Sequence, residues 1–150
     1  MAETGAVIGG ESSGGLTVRG HIPGKDGVYA GSLLVEAVAA SGKRLSKLYA
    51  DIVARYGELV MVENAYGFTA ERRAELQERI FGAHDLPAFT HGVERVSWQD
   101  GCKVYFTCGG WVTIRFSGTE PLLRVFAEMP TGDEARATAA AVASHYGLDA

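Results

Sequence analysis

The stretch VERVSWQDGCKVYFTCGGWVTIRFSGTEPLLRVFAE, residues 93–128, decides the fold. Its apolar residues follow the period of β-structure, and it reads as four consecutive strands: Val93–Trp98, Cys102–Cys108, Trp111–Phe116 and Leu122–Glu128. Asp100-Gly101 is a strong hairpin signal, and Gly109-Gly110 marks a second turn. A helix is expected on either side. Thr69 caps one over Ala70 to Phe81, anchored by Leu76 and Ile80 and stopped by Gly82. The other, Ala-rich, runs from about Asp133 to Tyr146 and stops at Gly147. Trp98, Phe106, Trp111 and Phe126 are expected to pack the sheet. The result is an α+β unit: a four-stranded antiparallel sheet with helices on one face. At about 80 residues it can hold a modest core of its own.

Upstream the chain reads differently. Ala6-Val7-Ile8 looks like the end of a buried strand, and it opens the chain so abruptly that an interrupted domain is expected. Residues 9–27 read as a long loop. Asp26 caps a helix to about Ala40, with Tyr29, Leu33, Leu34, Ala37 and Val38 as its apolar stripe. Ser46 caps a second helix, with Leu48, Tyr49, Ile52 and Val53 on one side and Gly57 as its stop. Residues 58–68 read as an extended crossing segment, most strand-like over Leu59 to Val62.

Composition narrows the function. In 150 residues, 47% hydrophobic and 21% charged, nothing suggests disorder or a disulfide scaffold. A net charge of −4 supplies no basic field for nucleic acid. No run approaches the ~18 apolar residues of a membrane span, and Met1-Ala2-Glu3-Thr4 lacks the basic and apolar regions expected of a signal peptide. Cys102 and Cys108, placed in one strand, would lie about 20 Å apart, too far to bridge. Reduced thiols and a cytoplasmic location are therefore expected. His84, His91 and His145 have no metal-ligand spacing.

Two loops carry polar chemistry. In Gly9-Gly10-Glu11-Ser12-Ser13-Gly14-Gly15, a carboxylate and two hydroxyls among glycines suit vicinal sugar hydroxyls, although a plain surface linker has the same composition. In Arg115-Phe116-Ser117-Gly118-Thr119-Glu120-Pro121, a Ser/Gly/Thr turn between strands can aim backbone amides at an anion. Ser117 and Thr119 add hydroxyls and Arg115 a planar fork, with Arg124 following. An ordinary hairpin with a solvated arginine is the alternative. In His21-Ile22-Pro23-Gly24-Lys25-Asp26-Gly27, Lys25 beside a helix N-terminus is a third anion candidate.

Gly10-Glu11-Ser12-Ser13-Gly14 resembles the sugar-binding loop of the α-D-phosphohexomutases, the phosphoglucomutase/phosphomannomutase family. Arg115–Pro121 and Leu122-Leu123-Arg124-Val125 resemble that family's C-terminal phosphate loop. Both occur in order, and Lys25-Asp26-Gly27 follows the same pattern. The resemblance implies the end of a third domain over residues 1–57, a linker over 58–68 and a fourth domain over 69–150. It implies a TATA-binding-protein-like sheet preceded by a helical remnant of an α/β domain. It also implies the residue roles: Glu11, Ser13 and Lys25 toward the sugar, and Arg115, Ser117, Gly118, Thr119 and Arg124 toward the phosphate. The expected partners are a phosphorylated hexose and two further domains. One of those would carry a phosphoryl-bearing serine and the other an aspartate-rich magnesium loop, so no metal and no catalytic residue are assigned here. Val142-Ala143-Ser144-His145 only faintly resembles the serine loop, and Ser144 is not taken as a nucleophile. Ser12 departs from the residues common at its position and weakens any choice of hexose. A phosphosugar-binding module without catalysis is the competing reading. The apolar faces of the first two helices would be left fluctuating or be buried by another copy.

Overall fold

In the computed structural model, residues 5–11 and 14–148 are described. The chain divides into two units, Met1–Tyr56 and Gly57–Ala150. In the first, β1 (Ile8–Gly10) pairs antiparallel with β2 (Leu16–Val18), Ile8 facing Val18 and Gly10 facing Leu16. The expected long loop thus contains a strand, because the polar loop doubles the chain back onto itself. α1 (Gly27–Ser41) begins at Asp26, whose carboxylate accepts the Tyr29 amide at 2.9 Å. α2 (Leu45–Tyr56) starts one residue before Ser46, which therefore lies inside the helix and is not its cap. Lys43 and Lys47 both reach Asp51, at 2.7 and 2.9 Å. No residue of α1 or α2 is buried.

The second unit is built on five strands. β3 (Val60–Gly67), β4 (Val93–Ser97), β5 (Cys102–Phe106), β6 (Trp111–Phe116) and β7 (Leu122–Met129) form one sheet in the order β3-β7-β6-β5-β4. Every pairing is antiparallel. This corrects the expected four-stranded sheet to five strands, the fifth coming from the segment 58–68 expected as a linker. That segment is an edge strand paired with β7 from Val60↔Met129 to Gly67↔Leu122. Edge position explains the misreading, since Glu63, Asn64 and Ala65 are exposed and Tyr66 alone in β3 is buried.

Alternation sorts the two faces. Cys102, Val104, Phe106, Val112, Ile114, Leu123, Val125, Ala127 and Met129 are buried. They meet Leu76 of α3 (Ala70–Gln77), Ile80 just beyond it, and Ala135, Ala139, Val142 and Tyr146 of α4 (Gly132–Tyr146) in one core. Each fully buried Val, Leu or Ile contributes about 1.5–3 kcal/mol. α4 starts at the N-cap Thr131, whose hydroxyl accepts the Glu134 amide at 3.2 Å and donates to the Glu134 carboxylate at 2.7 Å. The expected helix Ala70–Phe81 is shorter. α3 ends at Gln77 and a π-helical turn follows over Glu78–Gly82.

The other sheet face carries Trp111, Phe126, Tyr105, Lys103, Arg95, Arg115 and Arg124, by the same alternation. Trp111 and Phe126 thus pack on the face away from the helices. Lys103 Nζ sits 3.8 Å from the Trp111 ring centre, and the Arg95 guanidinium 3.4 Å from that of Tyr105. β5 ends at Phe106, so Cys108 falls in the next turn and not in the strand. Cys108 is exposed, whereas Cys102 is buried and burial pushes its thiol up to about 11. Among the described residues no helix is long and apolar enough to cross a membrane.

Candidate substrate-binding site

In the first unit the polar loop is a tight connection between β1 and β2. The Glu11 amide donates to the Gly15 carbonyl at 2.9 Å, and the Gly14 amide to the Glu11 carbonyl at 3.0 Å. Lys25 lies across Gly15, where a Cβ would stand 2.4 Å from Lys25 Cδ, and its ammonium reaches Glu11 Oε2 at 2.8 Å. The structure therefore brings Glu11 and Lys25 together as an exposed ion pair. Ser13 and Ser12 lie outside the described residues. Lys25 does not hold an empty helix N-terminus, because the Asp26 carboxylate already occupies it. The Tyr29 amide, then His21 at 2.8 Å, hold that carboxyl below the usual range. The His21 ring stacks on Tyr29 with centroids 4.0 Å apart.

In the second unit the hairpin β6–β7 presents Ser117 to Pro121. Ser117 donates its amide to the Leu122 carbonyl at 2.8 Å. Its hydroxyl oxygen accepts the Thr119 and Glu120 amides at 3.4 and 3.3 Å. The loop therefore differs from the expected open nest, since two of its amides wrap the serine oxygen. The Ser117 hydroxyl hydrogen, the Gly118 amide and the exposed Thr119 hydroxyl remain to meet an anion.

The register places Arg115 directly opposite Arg124. Like charges facing each other across two strands oppose folding unless counter-charges intervene. Three carboxylates do so. Arg115 Nη1 meets Asp100 Oδ2 at 3.2 Å, and Arg124 meets Glu63 at 3.3 Å and Glu120 at 2.9 Å. Arg124 Nε is buried without a hydrogen-bond acceptor. A buried, unmatched donor on a cation suits an anionic ligand.

Sequence reasoning missed Asp100, Glu63 and Glu120 as members of this cluster. Glu120, four residues before Arg124, and Asp100, at a hairpin tip, were readable; Glu63 was hidden by the linker reading of β3. Ser144 is exposed on the last turn of α4, and its carbonyl accepts the Gly147 amide at 3.3 Å. Among the described residues no group of three or more His, Cys, Asp or Glu side chains is arranged to hold a metal ion.

Each of the two units matches a family model. Residues 1–56 match the model of phosphoglucomutase/phosphomannomutase, alpha/beta/alpha domain III, and residues 60–145 that of the family's C-terminal domain. A phosphoglucomutase/phosphomannomutase of Thermococcus kodakarensis is 32% identical over 136 residues, covering 91% of this chain and 27% of that protein. A phosphoglucosamine mutase of Streptococcus thermophilus is also 32% identical over 136 residues, covering 89% of this chain and 26% of that protein. The chain thus spans about a quarter of the length of these curated relatives. A crystal structure of a phosphoglucomutase/phosphomannomutase family protein from Burkholderia thailandensis superposes with a TM-score of 0.62 at 20% identity, covering 97% of this chain and 30% of the other. At that identity the structural likeness speaks for the fold alone, while the match over residues 60–145 covers more than half of the sequence. On that match, the chain belongs to the phosphoglucomutase/phosphomannomutase family.

Proposed function

We propose that this chain supplies the substrate-holding part of a phosphohexomutase, which interconverts hexose 1-phosphate and hexose 6-phosphate through a bisphosphate intermediate. Its residues make and break no bond in this reading. Arg115, Ser117, Gly118, Thr119 and Arg124 hold the phosphate that is not being transferred, and Glu11, Ser13 and Lys25 meet sugar hydroxyls. Their contribution is positioning. The observation that carries the reading is the pair of arginines set opposite each other at the base of the Ser117–Pro121 loop, one with a buried and unmatched Nε. The phosphoryl-bearing serine and the magnesium loop belong, in this reading, to domains outside this chain, in a cytoplasmic enzyme.

The chain by itself is expected to bind a phosphosugar weakly and to turn none over. A few charge-assisted hydrogen bonds, less the cost of ordering the loop, give a Kd around millimolar, or roughly −4 kcal/mol. Titrating glucose 1-phosphate into the ¹⁵N-labelled chain should shift the amides of Ser117, Gly118 and Thr119. Arg115→Lys should weaken that binding severalfold, because a point charge replaces a bidentate fork. Shifts centred elsewhere, none at saturating ligand, or turnover abolished by changing Ser144 would refute the assignment.

A further inference from the structure

Two guanidiniums and three carboxylates meet beside the phosphate loop, so the cluster has a net charge of −1. A phosphate dianion cannot enter such a cluster without displacing a carboxylate. The three are not equally displaceable. Glu63 stands on β3 and Glu120 in the loop, and both close on the same guanidinium, Arg124. Asp100 touches one nitrogen of Arg115, at 3.2 Å, longer than the usual charge-assisted bond. Its side chain is 75% exposed and that of Arg115 54%.

The position of Asp100 is nevertheless built in. The next residue, Gly101, backs onto β6 so closely that a Cβ would stand 2.6 Å from the Ile114 carbonyl oxygen and 3.1 Å from Arg115 Cβ. This contact keys the β4–β5 turn to the strand that carries Arg115. A carboxylate tethered there meets the guanidinium at high local concentration whenever the site is empty.

Resting on the phosphate reading above, we propose that Asp100 is a displaceable internal counter-ion of the phosphate site. It pairs with Arg115 Nη1 in the free protein and yields the guanidinium to a phosphate dianion. A monoanion, with one charge to offer and fewer unprotonated oxygens to accept from the loop donors, competes poorly with the tethered carboxylate. Asp100 thereby sets the selectivity of the site for doubly charged phosphate.

Phosphate titrations of the ¹⁵N-labelled chain at constant ionic strength test this, comparing wild type, Asp100→Asn and Asp133→Asn. Asn-Gly keeps the turn chemistry, so Asp100→Asn preserves the hairpin. Asp133→Asn removes the same charge from the start of α4 and serves as the control. Asp100→Asn should bind inorganic phosphate about two- to fivefold more tightly, the range for losing an exposed ion-pair competitor. Asp133→Asn should match wild type. A merely structural lesion would weaken binding, so the direction itself is diagnostic. Equal or weaker binding by Asp100→Asn, with the wild type still shifting at Ser117 to Thr119, overturns this inference and leaves the phosphate reading standing. The inference also fails if Asp133→Asn tightens binding as much. Absence of shifts in all three proteins overturns the phosphate reading and this inference with it.

Discussion

Gly101 is constrained twice over, by a backbone φ of +83° and by a carbonyl oxygen where a side chain would begin. Gly109, in the neighbouring hairpin, has a φ of +88° but nothing within 4 Å. The two positions separate conformational strain from steric overlap. Gly101→Ala should destabilise the second unit by about 1–3 kcal/mol, and Gly109→Ala by less. Urea unfolding of both variants measures the difference; equal losses would mean that β6 gives way at no cost. The dipeptide Asp100-Gly101 was legible as a turn because turn chemistry is local. Its contact with Arg115 was not, since it depends on the register of three strands. The same distinction holds through the site. Arg115, Ser117, Gly118 and Thr119 lie within five consecutive residues, and Arg124 follows in the next strand, so a motif displays them. The carboxylates that neutralise the arginines come from three places in the chain.

At the scale of elements, the end of α4 is fastened to the segment after the π-helical turn. Arg79 donates from Nε and Nη2 to Asp85 Oδ2 at 3.0 and 2.8 Å, and His145 Nε2 lies 2.8 Å from Asp85 Oδ1. The Tyr146 hydroxyl donates to the Asp85 carbonyl, and Arg79 Nη2 to the His145 carbonyl at 3.1 Å. The Arg79 hydrogen bonds, then that of His145, hold the Asp85 carboxyl below its ordinary range against the opposing effect of burial. A carboxyl with a lowered folded-state pKa stabilises the fold at pH above its unfolded value. That contribution is lost as pH falls from the unfolded value through the folded one. Asp85→Asn should therefore be less stable than wild type at neutral pH. Its stability should also fall less steeply than that of wild type as pH drops below the ordinary carboxylate range. Parallel pH dependences in urea melts would show that Asp85 is not a linked group. Nothing in residues 78–85 signals this clasp, because the π-helical turn has no sequence period of its own and Asp85 and His145 are far apart in the chain. β4 to β7 and α4 were legible for the opposite reason, each having a clear period and a turn or cap at its end. β3 was legible as strand-like only over Leu59 to Val62, because an edge strand buries little and its apolar positions Val60, Met61 and Val62 give way to three exposed residues.

At the scale of the whole molecule, the two units differ in what they bury. The second has a closed core in which fifteen side chains besides that of Tyr66 are 1% exposed or less. In the first, α1 and α2 bury no residue, and Val28, Leu34, Val35, Leu45, Tyr49, Ile52 and Tyr56 are all more than half exposed. Each large apolar side chain left in water forgoes about 1.5–3 kcal/mol. Helices of an alpha/beta/alpha domain are amphipathic because they cover a sheet, and the described residues of this unit contribute six residues of strand. The two units should therefore differ in opening free energy, and amide hydrogen exchange reads that quantity residue by residue. Amides of Cys102–Phe106, Trp111–Phe116 and Leu122–Met129 should exchange slowly and together, as one cooperative unit. Those of Gly27–Ser41 should exchange orders of magnitude faster at low protein concentration. If a second copy covers the apolar faces, their protection should rise with concentration while that of the sheet stays constant. Strong, concentration-independent protection of Gly27–Ser41 equal to that of β5 to β7 in a monomer would refute this picture. It would mean that two amphipathic helices and a short hairpin are stable without the sheet their exposed faces are built to meet.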